Sequence, residues 1–125
     1  MKKSISSDNA PQPIGPYSQA VLVDNTLYTS GQIAINPKTG ELELDSIESE
    51  TKLVMENLKG LLNEVQMDFE NVVKCSIFIS EMNNFSRINE IYGSYFSSNF
   101  PARETVEVAR LPKDVNVEIS VIAVK

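Results

Sequence analysis

Residues 45–65 read Asp-Ser-Ile-Glu-Ser-Glu-Thr-Lys-Leu-Val-Met-Glu-Asn-Leu-Lys-Gly-Leu-Leu-Asn-Glu-Val, and here the apolar period of the chain changes. Ile47, Thr51, Val54, Met55, Leu58, Leu61, Leu62 and Val65 recur at spacings of three and four, which places them on one face of a helix. Asp45, with Glu48 three residues later, has the chemistry of an N-cap. Gly60 inside such a helix costs up to about 1 kcal/mol relative to alanine, which close packing on a sheet would explain.

Before the helix the pattern is β. Residues 1–16 are polar and contain Pro11, Pro13 and Pro16, so they read as an extended lead-in. Ser18–Val23 and Thr26–Ser30, joined by Asp24-Asn25, read as a hairpin. Pro37-Lys38-Thr39-Gly40 makes a second turn, and Glu41–Leu44 a short edge strand.

After the helix, Val72–Ile79 is a strand-like apolar run. A second helix is expected over Phe85–Ser97, with Ile88, Ile91, Tyr92, Tyr95 and Phe96 as its stripe and Asn83-Asn84 as its cap. Two strand-like runs then meet at a Leu111-Pro112-Lys113-Asp114 turn. The order βββαβαββ predicts a single α+β domain over residues 1–125, with two helices on a mixed sheet.

Composition excludes several function classes. Eleven basic against seventeen acidic residues give a net charge of −6, and the longest basic run is Lys2-Lys3, so no basic face for nucleic acid is expected. There is no histidine and one cysteine, Cys75, within an apolar run, so neither a disulfide nor a nitrogen–sulfur metal site is expected. No run of 18 apolar residues is present, and the expectation is a soluble, cytoplasmic protein with no cofactor.

The chemistry-bearing residues cluster near the end. Arg103 opens the first of the two late runs and Glu118 lies in the second. A guanidinium can grip a carboxylate through two parallel hydrogen bonds, and a glutamate can direct water and carry a proton. If the two runs form a hairpin about Pro112-Lys113, Glu118 lies opposite Glu107 and roughly 13 Å along from Arg103. That spacing leaves three arrangements: a substrate that bridges part of the gap, a different register, or a site shared between subunits.

Pro101-Ala102-Arg103, Val106-Glu107-Val108-Ala109-Arg110-Leu111-Pro112-Lys113-Asp114 and Val117-Glu118-Ile119 together resemble the C-terminal signature of the Rid/YjgF family of reactive intermediate deaminases. Ile14-Gly15-Pro16-Tyr17-Ser18-Gln19-Ala20, Thr29-Ser30-Gly31-Gln32-Ile33, Asn36-Pro37-Lys38-Thr39-Gly40-Glu41 and Glu56-Asn57-Leu58-Lys59 match in family order. The resemblance implies a chorismate-mutase-like (YjgF-like) fold and a homotrimer with clefts between subunits. It implies hydrolytic deamination of short 2-imino acids, the enamine and imine products of pyridoxal-phosphate dehydratases, to 2-oxo acids and ammonia.

By the same resemblance, Arg103 holds the substrate carboxylate and Glu118 orients or activates water. Tyr17, Ser30 and Gly31 line the cleft, with Asn89 near it. Thr105 stands where the family often has cysteine, so a thiol mechanism is excluded there while a backbone N–H contact is kept. The alternative from another class is a non-catalytic module on the same trimeric scaffold that senses small carboxylates or binds protein. A chorismate-mutase-like activity would need a denser arginine site than Arg87, Arg103 and Arg110 supply.

Overall fold

The computed structural model describes all 125 residues. Six strands form one sheet: β1 (Lys2–Ile5), β2 (Ala20–Val23), β3 (Thr26–Thr29), β4 (Val72–Ile79), β5 (Ala102–Glu107) and β6 (Val117–Val124). Two α-helices, α1 (Ile47–Glu64) and α2 (Phe85–Gly93), complete an α+β architecture in the expected order. Across the sheet the strands run β1-β2-β3-β6-β4-β5, antiparallel except for the parallel β4–β5 pair.

Helix α1 begins one residue later than Asp45 would have set it. Ser46 is the N-cap: its hydroxyl accepts from Ser49 N at 3.0 Å, and Ser49 Oγ accepts from Ser46 N at 3.2 Å. The reciprocal pair satisfies two N–H groups that the first turn leaves without helical partners. The α1 stripe of Val54, Met55, Leu58 and Leu62 packs with Leu27, Cys75, Ile77, Ile79, Val117, Ile119 and Val121 in the core. Gly60 does not pack on the sheet: a Cβ there would stand 2.8 Å from Asn9 C, so the glycine admits the backbone of the N-terminal segment.

Three expected elements move. Residues 2–5 are not a free lead-in but pair with β2 as an edge strand, with Lys2 and Lys3 exposed on an outer edge where charge discourages further pairing. Glu41–Leu44 forms only an isolated bridge, Ile35 to Leu42, so the opening three strands are β1, β2 and β3. Helix α2 stops at Gly93 rather than Ser97, and Tyr95 and Phe96 instead stack on Phe69 at ring-centroid separations of 5.2 and 5.6 Å.

The expected closing hairpin does not exist, because β4 lies between β5 and β6. Strand β4 fills the centre with Cys75, Ile77 and Ile79 buried under the helices, and α2 carries the chain back to lay β5 parallel beside it. Antiparallel hairpins close through loops of two to five residues, whereas a parallel neighbour needs a crossover that is usually a helix. The Pro112–Asp114 segment is accordingly a one-turn bend in a longer return, with Lys113 and Asp114 both at φ 57°.

No helix is long and apolar enough to cross a membrane. Both helices cover one face of the sheet; the other face presents Tyr28, Val106 and Val124, each more than a third exposed.

Candidate functional site

Register decides where the two chemistry-bearing residues point. Arg103 is the cross-strand neighbour of Cys75, and Thr105 that of Ile77, so both side chains share the helix-covered face. Glu118 pairs with Phe78, between the buried Val117 and Ile119, and points to the opposite face. With β4 intervening, the two Cα positions are roughly 14 Å apart by strand rise and strand spacing. The hairpin register from which the three arrangements were drawn is overturned, because β5 and β6 are not neighbours.

The predicted residues accordingly fall into two clefts. The larger, of about 540 Å³, is lined by Tyr17, Ser30, Gly31 and Glu118 together with Lys113 and apolar groups such as Ile14. The smaller, of about 460 Å³, is lined by Asn89, Arg103, Tyr92, Gly93, Phe100 and Pro101. Thr105 lines neither; its Oγ1 is buried with no hydrogen-bond partner.

In the larger cleft, Gly31 lies directly beneath the Glu118 side chain, and no larger residue fits there with Glu118 where it stands. Burial pushes the Glu118 carboxyl above the usual carboxylate range, so it holds its proton to higher pH than a free glutamate. Ser30 Oγ donates to Ser18 O at 2.6 Å. Gln19, buried, secures the wall that runs from Ser7 to Tyr17: its amide accepts from Ser7 N at 2.6 Å and donates to Ser7 O, Ala10 O and Pro11 O at 2.8 to 3.1 Å.

Below Glu118 the strand itself is fixed from α1. The Glu50 carboxylate, fully buried, accepts from Asn116 N at 2.8 Å, Asn116 Nδ2 at 2.7 Å and Val117 N at 3.3 Å. These bonds hold the start of β6 two residues before Glu118.

In the smaller cleft the surroundings of Arg103 differ from those of the other two arginines. Arg87 is bidentate to Glu48 and Arg110 to Asp114. Arg103 has no carboxylate within ion-pairing distance and instead donates from Nη1 to Asn89 Oδ1 at 2.6 Å. Its guanidinium carbon lies 5.5 Å from the Phe85 ring centroid and 5.2 Å from that of Tyr92. Beneath it, burial pushes the Cys75 thiol up, as expected of a packing residue and not of a nucleophile.

Sequence reading missed Gln19, Glu50, Lys113 and Phe85 as site-forming residues. One signal was available for the last: Phe85, Asn89 and Tyr92 stand at i, i+4 and i+7, hence on one face of α2. Gln19 and Glu50 carry no such signal, because their partners are distant in sequence.

Fold and site together define a small α+β protein with a half-buried glutamate in one cleft and an acid-free arginine in the other. The family model described as "Endoribonuclease L-PSP" matches residues 7–125. A RutC family protein of Pyrococcus horikoshii is 47% identical over 125 residues, covering 100% of this chain and 99% of its own length. A 2-iminobutanoate/2-iminopropanoate deaminase of Homo sapiens is 45% identical over 125 residues, covering 100% of this chain and 91% of its own. The crystal structure of a putative endoribonuclease from Thermotoga maritima superposes with a TM-score of 0.97 at 49% identity, over 100% of this chain and 98% of that one. The chain belongs to the Rid/YjgF family.

Proposed function

We propose that the protein hydrolyses short 2-imino acids, the products of pyridoxal-phosphate dehydratases, to 2-oxo acids and ammonia. One observation carries the reading: of three arginines, Arg103 alone keeps its charge free of an internal acid while neutral groups hold it at a cleft. A fixed guanidinium with open donors is the receptor a carboxylate requires. The deaminase name borne by the Homo sapiens relative supports the same choice of substrate class. The net charge of −6 and the lone Lys113 in the larger cleft argue against RNA as substrate.

Arg103 binds the substrate carboxylate and sets the imine carbon. Ionised Glu118 takes a proton from water as the new C–O bond forms, and the C=N π electrons pass to nitrogen. Glu118 then returns the proton to that nitrogen to give the carbinolamine. In a second transfer it carries the carbinolamine O–H proton to the nitrogen as the C–N bond breaks, so that ammonia leaves and the O–H electron pair forms the carbonyl of the 2-oxo acid. Imines hydrolyse readily in water, so positioning and one proton shuttle suffice, with no cofactor.

Because the two residues face opposite sides of one sheet, the site is completed between copies, as a homotrimer whose uncovered sheet faces meet. Tyr28, Val106 and Val124 supply apolar surface for that contact. A cytoplasmic location is part of the same proposal.

The test generates 2-iminopropanoate and 2-iminobutanoate in situ with a dehydratase and follows oxo-acid release. Wild type accelerates release, folded Arg103→Ala does not, and Arg103→Lys retains little because an ammonium lacks the planar fork. Carboxylate binding without acceleration by wild type would instead make the protein a sensing or binding module.

A further inference from the structure

We propose that Phe85 and Tyr92 are positioning residues for Arg103: the two rings and Asn89 form a clamp, built on one face of α2, that fixes the guanidinium with its remaining donors turned into the smaller cleft. This inference rests on the carboxylate reading of Arg103 and adds what makes that receptor rigid.

Arg103 springs from β5, an edge strand of the sheet, and its own neighbours along the strand are exposed. A long side chain in that setting ordinarily samples many rotamers, and ordering it on ligand binding weakens affinity. Here three groups order it beforehand. The Phe85 and Tyr92 ring centroids lie 5.5 and 5.2 Å from the guanidinium carbon, inside the range where a cation is attracted to a ring face. Asn89 accepts one of five N–H donors at 2.6 Å.

The choice of groups matters as much as their number. An aspartate at position 89 would also fix the arginine, but it would neutralise the charge that a substrate carboxylate needs. Aromatic faces and an amide oxygen orient the cation without supplying a competing formal charge.

The rings are in turn fixed by the core. Tyr92 is buried, packs on Phe96 at 5.0 Å, and has its hydroxyl beside the Cys75 thiol. Phe85 is half-buried against the same cluster. The spacing i, i+4, i+7 makes the helix a rigid carrier for all three contacts.

Two measurements on the full-length protein test the clamp. The first follows rotation of the Arg103 guanidinium by 15N side-chain NMR without ligand. Rotation is slow in wild type and in Tyr92→Phe, and faster in Phe85→Leu and Tyr92→Leu. The second follows calorimetric binding of 2-oxobutanoate and steady-state kinetics: the leucine variants bind about tenfold more weakly and raise KM about tenfold, with kcat within about threefold of wild type. Tyr92→Phe keeps the ring and binds within about threefold of wild type, even where loss of the hydroxyl lowers Tm. If Tyr92→Leu does not fold, Phe85→Leu carries both measurements.

Unchanged rotation in folded leucine variants, or wild-type binding in them while Arg103→Ala has lost it, overturns the clamp alone. Wild-type binding by Arg103→Ala overturns the carboxylate reading, and the clamp with it.

Discussion

A Cβ on Gly31 would stand 2.7 Å from the Glu118 carboxyl carbon and 2.9 Å from its Cγ, so the two residues occupy one space and only glycine permits the present position of the acid. Gly31 is not in the left-handed region, so the constraint is steric and not conformational. The side chain that must yield is the free end of a glutamate beside an open cleft, and the backbone has no need to move.

Gly31→Ala is therefore expected to fold with little change in Tm yet lose about a hundredfold in kcat, because a displacement near 1 Å at a reacting group has effects of that order. Circular dichroism and the coupled dehydratase assay measure the two. Wild-type turnover in a folded Gly31→Ala protein would show that hydrolysis does not depend on where Glu118 sits.

Glu118→Gln keeps size and removes the proton acceptor. 2-Oxobutanoate should bind as in wild type while turnover falls by about 10² to 10⁴, the usual contribution of a positioned acid–base group. Burial raises the Glu118 carboxyl above its ordinary range, so the acidic limb of kcat/KM in wild type should lie above the reference glutamate value of 4.5. An acidic limb below that value would contradict the assignment.

The same burial fixes a stability trend. Between the unfolded and the raised folded pKa, the native state retains a proton that the unfolded state has released, so stability falls as pH rises through that window. Glu118→Gln escapes the loss: urea melts should show it more stable than wild type at pH 7, with this advantage disappearing below the unfolded glutamate range of about 4.3. A variant less stable than wild type at pH 7 would indicate that the ionised carboxylate is favourably paired in the assembled protein.

How far the sequence reached depends on the range of the interactions involved. The α1 stripe, the Asp24-Asn25 turn and the full extent of β4 were legible because each is set within a few residues, by helical spacing, turn chemistry or an unbroken apolar run. The pairing of β5 was not, since Pro112-Lys113 offers a plausible local turn, while the true partner is chosen by α2 carrying the chain back beside β4. The strand–helix–strand order was itself a signal for a parallel neighbour.

At the candidate site, the motifs single out Arg103 and Glu118, but their opposite faces follow from a register no motif contains. Gly31 could be seen as a glycine in a strand-like run; that the Glu118 carboxylate fills the space of its missing side chain is set by the fold. Thr105, predicted to contact substrate, belongs to the edge strand β5, with its hydroxyl buried, and lines neither cleft.

Glu50 provides a test of how β6 is held. Glu50→Leu leaves the backbone N–H groups of Asn116 and Val117 and the Asn116 amide without their acceptor, and should cost about 3 kcal/mol or more. Glu50→Gln retains one oxygen for the two backbone donors, and Asn116 can turn its own oxygen toward the new amide, so the cost should be about 1 kcal/mol. Urea denaturation with an unchanged m-value reads both. Equal losses in the two variants would mean that charge, and not hydrogen-bond capacity, sets the contribution.

Opposite faces for Arg103 and Glu118 make a specific demand on assembly. If the working site joins the larger cleft of one copy to the smaller cleft of the next, the protein is a ring of repeated heterologous contacts, and light scattering should give three times 13.9 kDa. Arg103→Ala chains still carry Glu118, and Glu118→Gln chains still carry Arg103, so each variant alone is inactive for a different reason. Equal amounts mixed under subunit exchange place an intact Glu118 beside an intact Arg103 at about a quarter of the interfaces, by random mixing in such a ring. Activity should therefore return to about a quarter of wild type, and only after exchange. A fully active monomer would end the interface proposal. A trimer without rescue would require both residues to act from one chain, which the two faces of this sheet do not allow without a rearrangement of β5.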